Sequence, residues 1–132
     1  MEIRKIHPGE IDGLLNLIHQ YAEEAIVNMP EVENEISEKV IIDNIRQWSI
    51  QHNHCLLVGF SGDRPIGFIA GFIVQMPWSL SYQANLSFVF MTEEHRSLSN
   101  FTSLLDKFEE WAKIFKVKRI ISGDMGINIE RD

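Results

Sequence analysis

The sequence predicts a single α+β domain built on a mixed β-sheet, and three patterns support this prediction. The first is a mostly apolar run whose aromatic and branched residues fit a strand covered on both faces: Leu86, Phe88, Val89, Phe90 and Met91. The second is an amphipathic helix pattern soon after it: Phe101, Leu104, Leu105, Phe108, Trp111, Ala112 and Phe115. The third is a short apolar strand pattern, Lys118 to Asp124, which the helical crossover makes parallel to the first strand.

Length, composition and charge restrict the class of protein. The chain has 132 residues, which suit one domain with its own core, and 45% of them are hydrophobic. No stretch approaches the roughly 18 uninterrupted apolar residues of a membrane span, and the start MEIRKIHPGE lacks the apolar core of a signal peptide. We therefore expect a cytoplasmic protein that does not bind a membrane. The net charge of -7 argues against nucleic acid as a partner and favours cationic partners such as amines.

The first part of the chain predicts one strand and two helices. Met1 to His7 alternates apolar and charged residues, as a strand does. Apolar residues at helical spacing then predict a helix that begins at Pro8 or Glu10 and ends near Ala25. A second helix is built on Val40, Ile41, Ile45 and Trp48. The acidic residues between the helices fit either a solvated loop and helix N-terminus or a surface that attracts an amine: Glu31, Glu33, Glu35 and Glu38.

Two further strands are predicted in the middle of the chain. They run from Cys55 to Phe60 and from Ile66 to Met76, and Ser61-Gly62-Asp63-Arg64 joins them as a short hairpin turn. Cys55 has no second cysteine to pair with, so we expect a buried small hydrophobic side chain.

A metal site is not predicted. His52 and His54 lie close to Cys55 in sequence, but a strand sends His54 and Cys55 to opposite faces of the sheet. The sequence also contains no second Cys or His cluster that would complete a set of ligands.

The segment around the central strand resembles the GCN5-related N-acetyltransferases (GNAT). In that family the fourth strand ends in a segment of the type Val-x-Pro-x-x-Arg, and a glycine-rich turn that cradles the coenzyme A pyrophosphate leads into a helix and a short strand. Here Met91-Thr92-Glu93-Glu94-His95-Arg96 and Ser97-Leu98-Ser99-Asn100-Phe101 take the first two places. Residues similar to those usual in the family follow at Leu104-Leu105, Glu110, Ala112 and Lys118-Arg119-Ile120. The resemblance implies a GNAT-like fold over residues 1–132, mostly antiparallel around a parallel central strand pair and truncated after the fifth strand.

The resemblance also implies a function and a set of site residues. The implied activity is transfer of an acetyl group from acetyl-coenzyme A to an amine of a small molecule or protein, without a metal. Coenzyme contacts are expected from the backbone of Phe90 and Met91 and from Arg96, Ser97, Ser99, Asn100 and Asn128. Acid–base catalysis is expected from Glu94 and His95, at the end of the central strand, although such a run also fits solvated surface. Asp124 and Asn128 likewise fit turn and helix-cap chemistry.

Two departures from the family pattern support an alternative function. Glycines in the turn let backbone N–H groups approach a ligand closely, whereas Ser97, Ser99 and Phe101 bring side chains to this turn. The sequence also ends at Asp132, before the tyrosine that the next helix of this family commonly supplies to protonate the departing thiolate. The alternative is therefore a catalytically inactive GNAT-fold module for binding or assembly. In both cases we expect a homo-oligomer or a partner protein to cover the side of the sheet left open.

Overall fold

The protein folds as one mixed sheet with helices on both faces. The computed structural model describes residues 1–122 and 129–131. The strands occur in the sheet in chain order: β1 Glu2–Lys5, β2 His54–Ser61, β3 Arg64–Gln75, β4 Tyr82–Met91, β5 Arg119–Ser122 and β6 Ile129–Arg131. The α-helices are α1 Leu15–Asn28, α2 Glu38–Trp48 and α3 Leu98–Lys113. Only β4 and β5 pair in parallel among the described strands, so the predicted α+β sheet with a parallel central pair is confirmed.

The predicted helices are confirmed, with one change at the start of the first. The segment Pro8–Leu14 forms a 3-10 helix before α1 begins at Leu15. Pro8, Gly9 and Gly13 lie in this segment, and both residue types disfavour a regular α-helix. No helix in the described part of the chain is long and apolar enough to cross a membrane.

The predicted end of the sheet needs a correction. The sheet does not stop after the fifth strand, because β6 pairs antiparallel with β5. Ile120 pairs with Arg131 at one end of this pairing, and Ser122 pairs with Ile129 at the other. A strand of three residues contains too few positions to show the alternation by which strands are recognised in a sequence. The expectation that a second chain covers an open side of the sheet stays a prediction.

Two apolar cores lie on opposite faces of the sheet. On one face, α1 and α2 cover side chains of β2, β3 and β4, including Leu56, Val58, Phe68 and Phe90. On the other face, α3 covers Cys55, Leu57, Ile69 and Met91 among others. Neighbouring residues of β2 therefore point alternately into the two cores, as expected for a strand covered on both faces. The prediction that Cys55 is buried is confirmed.

An ion-pair bridge joins the two helices of the first face and is expected to depend on pH. His19 of α1 lies 3.0 Å from Glu38 and 3.1 Å from Glu23. The hydrogen bond to Glu38 and the charges of Glu23 and Glu38 raise the pKa of His19 above its ordinary value of 6.5. The bridge therefore stabilises the fold at a pH below the ordinary pKa, and this stabilisation is lost as the pH rises through the raised value.

We expect a His19→Gln variant to be slightly less stable than the wild type at about pH 6 and equally stable at about pH 8.5. Urea unfolding at the two pH values measures the difference, which is small because the groups are exposed and screened by water. An NMR titration of the Glu38→Gln variant supplies the control, since the pKa of His19 should fall there. A pKa of His19 at or below 6.5 in the wild type would contradict this assignment.

Candidate functional site

A bulge in β4 determines where the sheet opens. Leu86 contacts the core under α3, whereas Phe88, two residues later, packs against the core under α1 and α2. Alternate residues of a regular strand share a face. Leu86 pairs with Gly71 and Phe88 with Ala70, so Ser87 is the additional residue of a β-bulge. A bulge bends the strand and increases its twist, which turns the second half of β4 away from its original direction.

The described pairing of the two parallel strands ends next to this bulge. The pairing begins where Gln83 pairs with Arg119 and ends where Leu86 pairs with Ser122. In contrast, β3 stays paired with β4 as far as the pair formed by Gly67 and Met91. Among the described residues, none pairs with the β5 side of residues 87–91, and we call the space along this edge of β4 the gap. A strand edge with unpaired backbone groups is suited to an extended ligand with amide groups.

The backbone groups on this edge can be assigned from the ladder. The Thr92 N–H donates to the Ile66 carbonyl at 2.8 Å, so Thr92 faces β3. In an antiparallel pair, neighbouring residues face opposite sides; Phe90 therefore also faces β3, and Val89 and Met91 face the gap. Phe90 was predicted as a backbone contact for the coenzyme. The ladder uses its N–H and C=O, and this moves the expected contact to Val89.

The turn after β4 contains the predicted acid–base residues. Glu93–His95 form one 3-10 turn, in which Glu94 is exposed and the Nδ1 of His95 lies 3.1 Å from the Thr92 hydroxyl. Neither Glu94 nor His95 lines the cavity described below. Their assignment as catalytic residues stays a prediction.

Arg96 connects this turn to β4 and to α1. Its Nε donates to the Met91 carbonyl at 2.9 Å, and its Nη2 donates to Glu24 Oε2. The guanidinium also lies over the Phe90 ring, 5.4 Å from the ring centroid, in the geometry of a cation–π contact. Arg96 therefore holds the end of β4 against the last turns of α1.

The N-terminus of α3 follows immediately and contains the other predicted polar residues. Ser97 caps the helix, because its hydroxyl accepts a hydrogen bond from the Asn100 N–H at 3.1 Å. The Asn100 side chain donates to the His95 carbonyl at 2.8 Å. Leu98 and Ser99 occupy the first two helical positions, where N–H groups have no partner within a helix. These two N–H groups, with the positive end of the helix dipole, can bind an anion.

Phe101 does not project into the helix N-terminus. Its ring is partly buried against the core between α3 and the sheet. The resemblance to the GNAT family predicts a small residue at this position, but the Phe101 side chain is directed into the core. Phe101 therefore does not by itself prevent a ligand from approaching the N–H groups of Leu98 and Ser99.

A cavity lies between α1 and the open half of β4. It has a volume of about 110 Å³ and is lined by Tyr21, Glu24, Ala25, Asn28, Met29, Val89 and Phe90. Of the described residues in this lining, only Glu24 has a carboxylate. Sequence reasoning did not select Tyr21, Glu24 or Asn28, because each fits the helical pattern of α1 as a core or surface residue. A carboxylate one helical turn beyond Tyr21 is a weak sequence signal for a binding site. Only the tertiary contacts show that it lines a cavity.

A larger hollow of about 330 Å³ lies elsewhere, beside β1 and the β2–β3 turn. Its charged groups include Arg4 and Glu10, which are paired with each other at 2.9 Å. It is remote from the gap in the sheet, and no residue predicted for a site lines it. We therefore place the functional site at the gap and not at this larger hollow.

The described residues contain no group of three metal-ligating side chains. His54 stacks between Trp48 and Phe72, at centroid distances of 6.2 and 5.6 Å, and burial lowers its pKa. Burial also raises the pKa of the Cys55 thiol to about 12, so this thiol stays protonated near neutral pH. Asn128 and Asp124, predicted near the coenzyme, lie outside the described residues.

Several solved structures with a similar fold are acetyltransferases. An acetyltransferase from Vibrio fischeri has a TM-score of 0.73 at 19% identity, over 92% of this chain and 94% of that chain. The PaiA N-acetyltransferase from Thermoplasma acidophilum, in complex with coenzyme A, has a TM-score of 0.71 at 18% identity, over 92% and 77% of the two chains. An aminoglycoside 6'-N-acetyltransferase from Acinetobacter haemolyticus has a TM-score of 0.70 at 18% identity, over 96% and 81%. No protein-family model and no curated protein sequence matches this chain.

Proposed function

We propose that this chain, which has the fold of the GCN5-related N-acetyltransferases, transfers an acetyl group from acetyl-coenzyme A to an amine of a small molecule or protein. The observation that carries the proposal is the edge of β4 along residues 87–91, which pairs with no described residue, and the N-terminus of α3 that follows the end of this strand. Coenzyme A combines an extended arm that contains amides with a pyrophosphate. The first part suits an open strand edge, and the second suits a helix N-terminus.

The proposed contacts follow from this arrangement. Val89 offers its backbone groups to the amides of the arm, and Met91 offers its N–H, because its carbonyl already accepts a hydrogen bond from Arg96. The N–H groups of Leu98 and Ser99 face the phosphates, and the hydroxyls of Ser97 and Ser99 are additional donors. Arg96 and Asn100 keep secondary roles near the phosphates, because each already bonds a neighbouring group.

The proposed reaction needs an unprotonated amine close to the thioester. The amine nitrogen attacks the thioester carbonyl carbon, a C–N bond forms, and the C–S bond breaks with the electron pair staying on sulfur. The proton released by the nitrogen balances the one that the thiolate takes up. Glu94 and His95 are the proposed carriers of that proton, and the Nε2 of His95 makes no hydrogen bond to a described residue.

A catalytically inactive module with the same fold is the second candidate. One observation favours it: the Ser99 side chain stands in the segment that is a glycine-rich turn in GNAT enzymes, so backbone approach to a pyrophosphate is more restricted. This function requires a partner chain instead of an acceptor amine. The two candidates differ in whether the gap binds the coenzyme.

Titration of the purified protein with acetyl-coenzyme A by calorimetry tests the proposal. We expect saturable binding at micromolar coenzyme and, with a suitable amine, release of free coenzyme thiol. A thiol reagent measures this release cleanly, because Cys55 is 1% exposed and its raised pKa keeps it unreactive. No heat and no thermal stabilisation at millimolar coenzyme would exclude the transferase and leave the inactive module.

A further inference from the structure

The cavity beside β4 presents one carboxylate oxygen that is not used. Only Oε2 of Glu24 takes part in the ion pair with Arg96, and Oε1 accepts no hydrogen bond from a described residue. The two side chains are 37% and 35% exposed, so the pair is neither sealed from water nor closed to a third group. A carboxylate can accept several donors at once. Glu24 can therefore bind a cationic group in the cavity while it keeps Arg96.

The carboxylate lies next to the proposed site of reaction. The same cavity contains Val89 and Phe90, which belong to the open half of β4. A group bound at Glu24 would thus lie beside the strand edge that is proposed to hold the coenzyme arm. An amine bound at Glu24 would therefore lie next to a thioester held along that edge.

A second, almost entirely apolar cavity adjoins the first. It has a volume of about 30 Å³, lies under α1 and α2, and is lined by Tyr21, Ile41, Asn44, Ile45, Trp48, Leu56, Phe68, Ala70 and Phe88. Tyr21 lines both cavities, and its ring contacts Phe88 and Phe90 edge-on at centroid distances of 5.5 and 5.7 Å. Trp48 stacks on Phe88 at 5.5 Å. The aromatic rings thus form a continuous wall from the carboxylate to the apolar cavity.

We infer that the acceptor is a primary amine with a single positive charge and one apolar or aromatic substituent. This inference rests on the proposed transferase function. The ammonium binds Oε1 of Glu24, and the substituent packs against Tyr21 and Phe88 toward Trp48. Among the described residues that line the two cavities, Glu24 is the only one with a carboxylate. A polyamine or an aminoglycoside would leave its other charges opposite aromatic and aliphatic side chains, where they lose hydration without gaining a partner.

Binding of amines to the coenzyme-free protein tests this inference separately from catalysis. The probes are 2-phenylethylamine, its neutral analogue 2-phenylethanol and the polyamine spermidine, each titrated by calorimetry. We expect the wild type to bind 2-phenylethylamine at least about tenfold more tightly than either of the other two. Glu24→Gln should remove this tenfold advantage while leaving the affinity for 2-phenylethanol unchanged.

Two matched variants separate charge recognition from structural damage. Arg96→Gln breaks the same ion pair as Glu24→Gln but keeps the carboxylate, so it should bind 2-phenylethylamine at least as tightly as the wild type. Glu23→Gln removes the neighbouring exposed carboxylate, which pairs with His19, and should have no effect. Phe88→Leu should weaken both phenylethyl ligands by a similar factor.

The outcomes also distinguish the two proposals. Equal losses in Glu24→Gln and Glu23→Gln, or tighter binding of spermidine than of 2-phenylethylamine, would overturn the inferred acceptor class. Binding of 2-phenylethylamine through Glu24 in a protein that does not bind acetyl-coenzyme A would support the amine site and remove the transferase function. Acetyl transfer to spermidine but not to 2-phenylethylamine would leave the transferase and refute the inferred acceptor.

Discussion

Replacing Gly71 with alanine should destabilise the protein by roughly 3 kcal/mol, at the upper end of the usual cost of overpacking a core. A Cβ atom at this position would lie 2.4 Å from the carbonyl oxygen of Asn85 and 2.5 Å from the ring of Phe108. The first is backbone of the paired strand, and Phe108 is 1% exposed in the core under α3. Neither group can move away without disturbing the sheet next to the bulge at Ser87.

Urea unfolding of Gly71→Ala measures this effect, and Gly13→Ala is its matched control. A Cβ at Gly13 meets nothing within 4 Å, so that substitution should leave the free energy of unfolding nearly unchanged. If the two variants lose the same stability, the close packing at Gly71 does not govern the fold. Because Gly71 lies opposite the bulge, we also expect Gly71→Ala to weaken coenzyme binding in whatever fraction remains folded.

Replacing Leu98 with proline should lower the affinity for acetyl-coenzyme A by about tenfold to a hundredfold without unfolding α3. Proline removes the first N–H of the helix, and a hydrogen bond to a charged phosphate contributes about 1.5–3 kcal/mol. The helix should tolerate the change, because proline is favoured at the first helical position. Ser97 before it is already extended, with φ of −151° and ψ of 155°, as a residue before proline prefers.

Calorimetry on Leu98→Pro and Leu98→Ala separates the N–H group from the side chain. The Leu98 side chain is 85% exposed, so alanine, which keeps the N–H, should bind the coenzyme as the wild type does. Thermal unfolding should show similar stability for both variants. Equal coenzyme affinity in the two variants would mean that this N–H group does not contact the phosphates.

The proposed amine site and the proposed coenzyme site depend on different groups of the chain. The proposed coenzyme site uses backbone groups of β4 and α3, which tolerate changes in side chain. The proposed amine site uses side chains of α1, α2 and β4, above all Glu24 and the rings of Tyr21 and Phe88. Substitutions of these side chains should therefore change the acceptor without removing the coenzyme contacts.

Much of the fold could be predicted because its elements carry strong local patterns. The helix period from Phe101 to Phe115 and the apolar run of β4 each reflect burial against a core, and burial leaves a regular spacing in the sequence. The β2–β3 turn could also be predicted from the local sequence, because Gly62 adopts a φ of +62° that glycine accommodates readily. The sixth strand was missed because three residues carry no comparable pattern.

The sequence by itself therefore determined the α+β class, the parallel pair around a helical crossover and the polar turn before α3. Only the tertiary structure decided how these parts form a site. The bulge at Ser87 depends on pairing with β3, and the direction of the Phe101 ring depends on space in the core. The meeting of Glu24 with Arg96 joins residues 72 positions apart. Such contacts arise between elements, and local spacing in one element carries no information about them.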